Sequence, residues 1–160
     1  MTLLCVDASP LMQSIYEDIF TTLFHAVFII HDGAEGVAFC QEHDIDLVLC
    51  EYDLPDMNGI VMIEQMRKLK PSMPIILVTE TMEAPVFTEA FRHRVCNFVQ
   101  KPFDTTDLLD AVERAVKVVI ADKFIHKEQR RQLELLEKKV AYGDYQEELS
   151  FQKELSMIQN

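Results

Sequence analysis

Short apolar runs rich in β-branched residues recur along the chain at residues 2–6, 27–30, 47–50, 75–78 and 97–99. Each is too short for an isolated helix and of the right length for a strand buried on both faces. Longer segments with helical periodicity separate them. Ser9 and Pro10 form an N-cap and N1 pair, after which Leu11, Ile15, Ile19 and Leu23 fall at i, i+4 spacing on one face. Residues 33–42, 60–69 and 84–92 predict three more helices, and Asp104 is placed to cap a fifth. In that fifth helix Leu108, Leu109, Val112, Ala115, Val116 and Val119 form an inward stripe.

Five βα units in succession define an α/β fold with a parallel sheet covered by helices on both faces, because each parallel strand needs a right-handed crossover of about this length. Functional groups of a doubly wound sheet gather at the carboxyl ends of its strands. Asp7 ends the first strand, Glu51 the third and Thr79 the fourth, and Lys101 follows the fifth. Two carboxylates, a hydroxyl and an ammonium therefore converge on one crevice.

From about Lys117 the pattern changes to a long, charged helix former. Leu133, Leu136 and Val140 keep a short heptad phase, but His126 and Gln129 make the seam polar and Gly143 interrupts it. We expect a domain over residues 1–121 and a helical extension or linker over 122–160, packed on its own domain, dimerising, or leading to an output domain.

Charge sharpens this division. Residues 1–122 hold 8 Lys/Arg against 20 Asp/Glu, whereas residues 123–160 hold 7 of each. The acidic front repels phosphate backbones and anionic lipid, which disfavours nucleic acid and membrane surfaces as partners of residues 1–160 and favours proteins with basic patches, or a cation. With no long apolar run and no basic-then-apolar leader at the N-terminus, the expected location is the cytoplasm. Apolar residues at 49% and charged residues at 26% suit a globular domain. Cys5, Cys40, Cys50 and Cys96 show no C-x-x-C spacing, three of them lie in apolar strand-like contexts, and they read as unpaired structural thiols. The five histidines show no metal-ligand spacing.

The pieces "LLCVDASPLM", "HDGAEGVAF", "DLVLCEYDLPDMNGIVMIEQMR", "PIILVTE" and "FVQKPF" carry, in order and spacing, a resemblance to the CheY-like receiver domain of bacterial response regulators over residues 1 to about 121. The resemblance implies a doubly wound five-stranded parallel sheet, flavodoxin-like, of order 2-1-3-4-5. It implies no enzymatic activity within these residues, a sensor histidine kinase or other signalling protein as partner, and homodimerisation through the fourth and fifth helices or the C-terminal helix. In this family an aspartate ending the third strand takes a phosphoryl group, two acids after the first strand join it in holding Mg²⁺, and a Thr/Ser and a Lys contact the phosphoryl group. Carried over, the last two are Thr79 and Lys101. Phe98 takes the place of the aromatic switch residue, with core packing as its plainer role, and Pro102 that of a proline following a cis bond.

Two positions depart from the pattern. Counting back four residues from Pro55, the acceptor position holds Glu51, and the acidic pair reads Asp7-Ala8. A glutamate carboxylate lies one methylene farther out, about 1 Å, and misplacement on that scale costs a positioned reaction heavily. Loss of one carboxylate weakens a hard-cation site, so we expect no cofactor or weakly bound Mg²⁺ held by Asp7, Glu51 and the Asp53 backbone. Glu51 reaching Lys101 would replace part of a phosphoryl group's charge, and Glu at the acceptor position often resembles the phosphorylated state. Asp53 is expected to face solvent and Asp56 to be a turn former. A third departure is Arg94-Val95, where the family usually has Gly-Ala. Three readings follow: a signalling receiver deficient in phosphoacceptor chemistry, acting through protein contacts or as a mere scaffold; an authentic acceptor modified at Glu51 or Asp53 with Mg²⁺; or a flavodoxin-like small-ligand binder, which the lack of a Gly-rich phosphate loop disfavours.

Overall fold

In the computed structural model, which describes residues 1–81 and 83–158, each apolar run becomes a strand: β1 (Thr2–Val6), β2 (Ala26–Ile30), β3 (Leu47–Glu51), β4 (Ile75–Thr79) and β5 (Asn97–Gln100). All pairings are parallel and the order is β2-β1-β3-β4-β5. Burial follows that order. β3 and β4 are buried throughout and β1 nearly so. β2 and β5, at the two edges, are only half-buried for most of their length, so the expectation of burial on both faces fails for these two.

The helices are α1 (Pro10–Phe20), α2 (Gly33–Glu42), α3 (Gly59–Leu69), α4 (Ala84–Arg92) and α5 (Thr105–Ile158). Their starts follow from capping chemistry. Ser9 accepts the Met12 amide, Asp32 the Glu35 amide and Asn58 the Ile60 amide, while Asp104 Oδ1 accepts the Asp107 amide. α4 begins on Glu83 with no side-chain cap bond and a proline in its first turn.

Two apolar layers sandwich the sheet. Cys40 of α2, Met62, Ile63 and Met66 of α3, and Val86 and Ala90 of α4 cover one face. Met12, Tyr16 and Phe20 of α1, with Leu108, Ala111, Val112 and Ala115 of α5, cover the other. The α5 stripe is largely as expected, with Leu109 and Val116 at its margin. The α1 row is not: Leu23 lies past the helix end and is 61% exposed, Leu11 is 71% exposed, Ile15 and Ile19 are half-buried, and the helix instead turns Met12, Tyr16 and Phe20 into the core. Those larger side chains fill the core on this face of the sheet, and the aliphatic row one position earlier is rotated toward solvent.

Cys5 and Cys50 are buried in strands, Cys40 is buried in a helix, and Cys96 is exposed just ahead of β5. Burial pushes the Cys40 thiol up to about 11. The chain divides into two units, Met1–Ile120 and Ala121–Asn160. In the second, the helix passes through Gly143 without a break, so that residue interrupts the apolar seam but not the helix. Phe124, Leu133, Leu135, Leu136, Val140 and Tyr142 of this unit are exposed. Among the described residues no helix is long and apolar enough to cross a membrane.

Candidate functional site

Parallel pairing brings the strand ends together. The Asp7 amide donates to Ile30 O at 3.0 Å, Tyr52 to Val78 O at 2.9 Å and Lys101 to Thr79 O at 2.8 Å, which sets Asp7, Glu51 and Lys101 around one depression. α3 starts hard against the end of β3: the Gly59 amide donates to Tyr52 O at 2.7 Å, and a Cβ at Gly59 would lie 2.5 Å from Glu51 O. Glycine there is a steric requirement of the close approach.

Lys101 is the centre of the charge arrangement. Its Nζ donates to Glu51 Oε2 and, at 3.3 Å, to Asp7 Oδ2. Glu51 Oε1 accepts the amides of Tyr52 at 2.8 Å and Asp53 at 3.2 Å. Asp7 Oδ1 accepts the Ser9 amide at 2.8 Å, and Oδ2 also accepts the Tyr16 hydroxyl at 3.2 Å. Asp7, Glu51 and Thr79 are the buried polar side chains of the described core. Burial raises the Glu51 carboxyl above its ordinary value, against the opposing hydrogen bond and charge of Lys101 and the Asp53 amide. For Lys101 burial works downward, but the hydrogen bond to Glu51 and the charges of Asp7 and Glu51 prevail and hold the ammonium above its usual range. Burial, reinforced by Asp7, drives the Tyr16 phenol far upward, so it serves as a donor.

The remaining expected residues take distinct places. Thr79 bonds within its own loop: its hydroxyl donates to Thr81 O at 3.1 Å and accepts the Thr81 amide at 3.0 Å, where β4 passes into the β4–α4 connection. Phe98 is half-buried with its ring 4.7 Å from that of Phe87 on α4. The Lys101–Pro102 bond is cis. Asp53 is exposed, and Ala8 presents only a methyl group beside Asp7. Asp56 does more than shape a turn: its two carboxylate oxygens accept the amides of Gly33 and Ala34, each at 2.8 Å, so it caps α2 from the β3–α3 loop. Those bonds hold its carboxyl below the usual carboxylate range. Tyr16 escaped sequence reasoning, although it lies on the Met12 and Phe20 face of α1, two helical turns beyond Asp7. An open cleft of about 710 Å³ adjoins the depression, lined by Leu11, Met12, Ile15 and Phe103 beside Lys101 and Glu80.

The donor set does not suit a divalent cation. Each carboxylate oxygen of Asp7 and Glu51 already accepts a hydrogen bond, Ala8 stands where the family carries a second acid, and an ammonium lies between the two acids. Hard cations take several oxygen donors, and here the lysine ammonium already supplies the positive charge that such a cation would bring. Among the described residues no group of three or more His, Cys, Asp or Glu is arranged to hold a metal.

The fold and the groups at its strand ends are those of a signalling receiver domain, and residues 3–113 match the response regulator receiver domain. The chain belongs to that family. It is 28% identical over 115 residues to the transcriptional regulatory protein GlrR of Escherichia coli K12, which covers 72% of this chain but 26% of GlrR. It is 25% identical over 115 residues to the chemotaxis protein CheY of Bacillus subtilis, covering 71% of this chain and 96% of that protein. A CheY-like receiver domain from Methanospirillum hungatei JF-1 superimposes with a TM-score of 0.72 at 24% identity, over 76% of this chain and 97% of the other. The chain thus spans about a quarter of GlrR and, for the transcriptional regulatory protein FixJ of Rhizobium meliloti, 46%.

Proposed function

We propose that this receiver domain signals by protein contact around a fixed carboxylate rather than by accepting a phosphoryl group. The observation that carries the reading is the bonding of Glu51. Its carboxylate already holds Lys101, one of the two groups that contact the phosphoryl group in the resembled family, together with two backbone amides. The second such group, Thr79, stays bonded to Thr81. The site is engaged on its lysine side only. A partner that draws the β4–α4 loop toward Glu51 would complete it, which makes binding the switch.

Partners on this reading are a sensor histidine kinase or other signalling proteins, meeting the apolar cleft wall of exposed Leu11 and half-buried Ile15 and Phe103 beside Lys101. Self-association would use α4, where Phe91 is 81% exposed, with α5, or the apolar positions of the C-terminal helix. We place the protein in the cytoplasm, as a module whose output lies in a domain or partner, and its use of Mg²⁺ as weak or absent.

Incubation with Mg²⁺ and a small phosphodonor, followed by intact mass measurement, tests the proposal. The expected result is no covalent gain for the natural chain and a gain of one phosphoryl group for the double variant Glu51→Asp, Ala8→Asp. A stable phosphoryl adduct on the natural chain overturns it.

A further inference from the structure

The eight Lys/Arg of residues 1–122 are unevenly placed. None occurs before Arg67, and five of them, Arg67, Lys68, Lys70, Arg92 and Arg94, lie at the C-terminal ends of α3 and α4 or just beyond. That is the end of the sheet opposite Glu51. In a chain of net charge −12 this is a local reversal of sign.

The three residues nearest its centre are differently compensated. Arg67 donates to three carbonyls, His93 O at 2.7 Å, Met73 O at 2.5 Å and Arg94 O at 3.0 Å, which fixes the guanidinium without neutralising it. Arg92 pairs with Glu89 at 2.6 Å. Among the described residues no carboxylate pairs with Arg67 or Arg94. With Pro71 and His93 the three arginines line a cleft of about 260 Å³, room for a group the size of a phosphate and its waters.

The backbone supplies a separate argument. Arg94 has φ of 56°, the left-handed conformation that closes many helices and that glycine adopts without cost. Its amide caps α4 by donating to Phe91 O at 3.0 Å. A glycine would close the helix at least as well, so the arginine side chain is held here against a local preference, and it projects from the rim of the charged cleft.

We propose that the Arg67, Arg92 and Arg94 cleft is a binding site for a compact oxyanion, a phosphate or a carboxylate. Arg94 supplies the free planar donors for a bidentate contact. Arg67 supplies fixed positive charge from below. α4 links this cleft to the β4–α4 loop, since the helix begins three residues after Thr81 and ends at Arg92.

Amide and arginine side-chain NMR shifts, followed at constant pH and ionic strength, test the site with inorganic phosphate in one arm and a short polyglutamate peptide in the other. Saturable shifts at His93 and Arg94 with either probe are expected, and the tighter probe identifies the source. Arg94→Gly should weaken binding about tenfold, the scale of one lost charge-assisted contact. The same variant should melt at the natural temperature or above it, since glycine suits the left-handed backbone, and this separates loss of binding from loss of fold. The proposal is overturned if neither probe gives saturable shifts, or if Arg94→Gly binds as well as the natural chain.

Discussion

Lys101→Met is the perturbation with the largest expected effect on this domain. The side chain keeps its length but loses the ammonium, so two charge-assisted hydrogen bonds vanish and buried Asp7 and Glu51 share a depression with no cation. Removing one partner of a buried pair typically costs about 3–5 kcal/mol. Glu51 has an escape, because it can take up a proton. For an ordinary glutamate that costs about 3.7 kcal/mol at pH 7, and for Glu51, whose pKa burial already raises, it costs less. At about 3–4 °C per kcal/mol for a domain of this size, the melting temperature should fall by about 10–20 °C at pH 8. The sign of the pH dependence is the sharper test. Without Lys101 the folded-state pKa of Glu51 rises further above its unfolded value, so the variant is most stable below the unfolded carboxylate pKa and loses stability as pH rises through the folded one. In the natural chain the raised pKa of Lys101 gives a contribution that is full below the unfolded lysine value and fades only as pH climbs through the folded value. Thermal melts of both chains from pH 5 to 8 should therefore diverge with rising pH. A deficit under 3 °C at pH 8, or one equal at both ends, would refute the reasoning.

Two further outcomes can be checked by simple methods. Gly59→Ala places a methyl group 2.5 Å from Glu51 O and 3.0 Å from Tyr52 Cα, both backbone, so urea unfolding should show a loss of about 1–3 kcal/mol or more, with shifted amide resonances in residues 52–59. Asp56→Asn weakens the carboxylate cap on α2. Because the Asp56 pKa is depressed, its contribution is present above the unfolded aspartate value and lost as pH falls through the folded one, so the variant should lose stability at pH 7 while converging with the natural chain near pH 2, and the Ala34 amide should exchange faster with solvent.

Much of this organisation was readable before any coordinate. Strand positions followed because buried parallel strands are continuous apolar runs, and Glu51 stood out as the carboxylate ending the third run, its spacing to Pro55 acquiring meaning only from the family resemblance. The α1 face was misjudged because two apolar rows run side by side. The choice between them depends on which side chains fill the core on that face of the sheet, and Tyr16, half polar by composition, does so while its hydroxyl finds Asp7. Asp56 looked like a local turn former since its partners, Gly33 and Ala34, lie more than twenty residues away. The orientation of Thr79 was beyond pattern reading for another reason: a threonine hydroxyl can bond its own loop or the opposite strand end, and only the backbone path decides. Arg67 gave no signal either, because carbonyl partners leave no trace in the sequence of side chains.

The bond between Glu51 and Lys101 also has a bearing on time. A phosphoryl group on an acceptor is a temporary mark, removed by hydrolysis, and its half-life lets a cell erase a message. The Glu51 carboxylate is encoded in the chain and cannot be hydrolysed away. On the proposed reading, whatever arrangement it imposes on Lys101 endures as long as the polypeptide itself, and the duration of a signal is set by synthesis, degradation and the residence time of whatever binds.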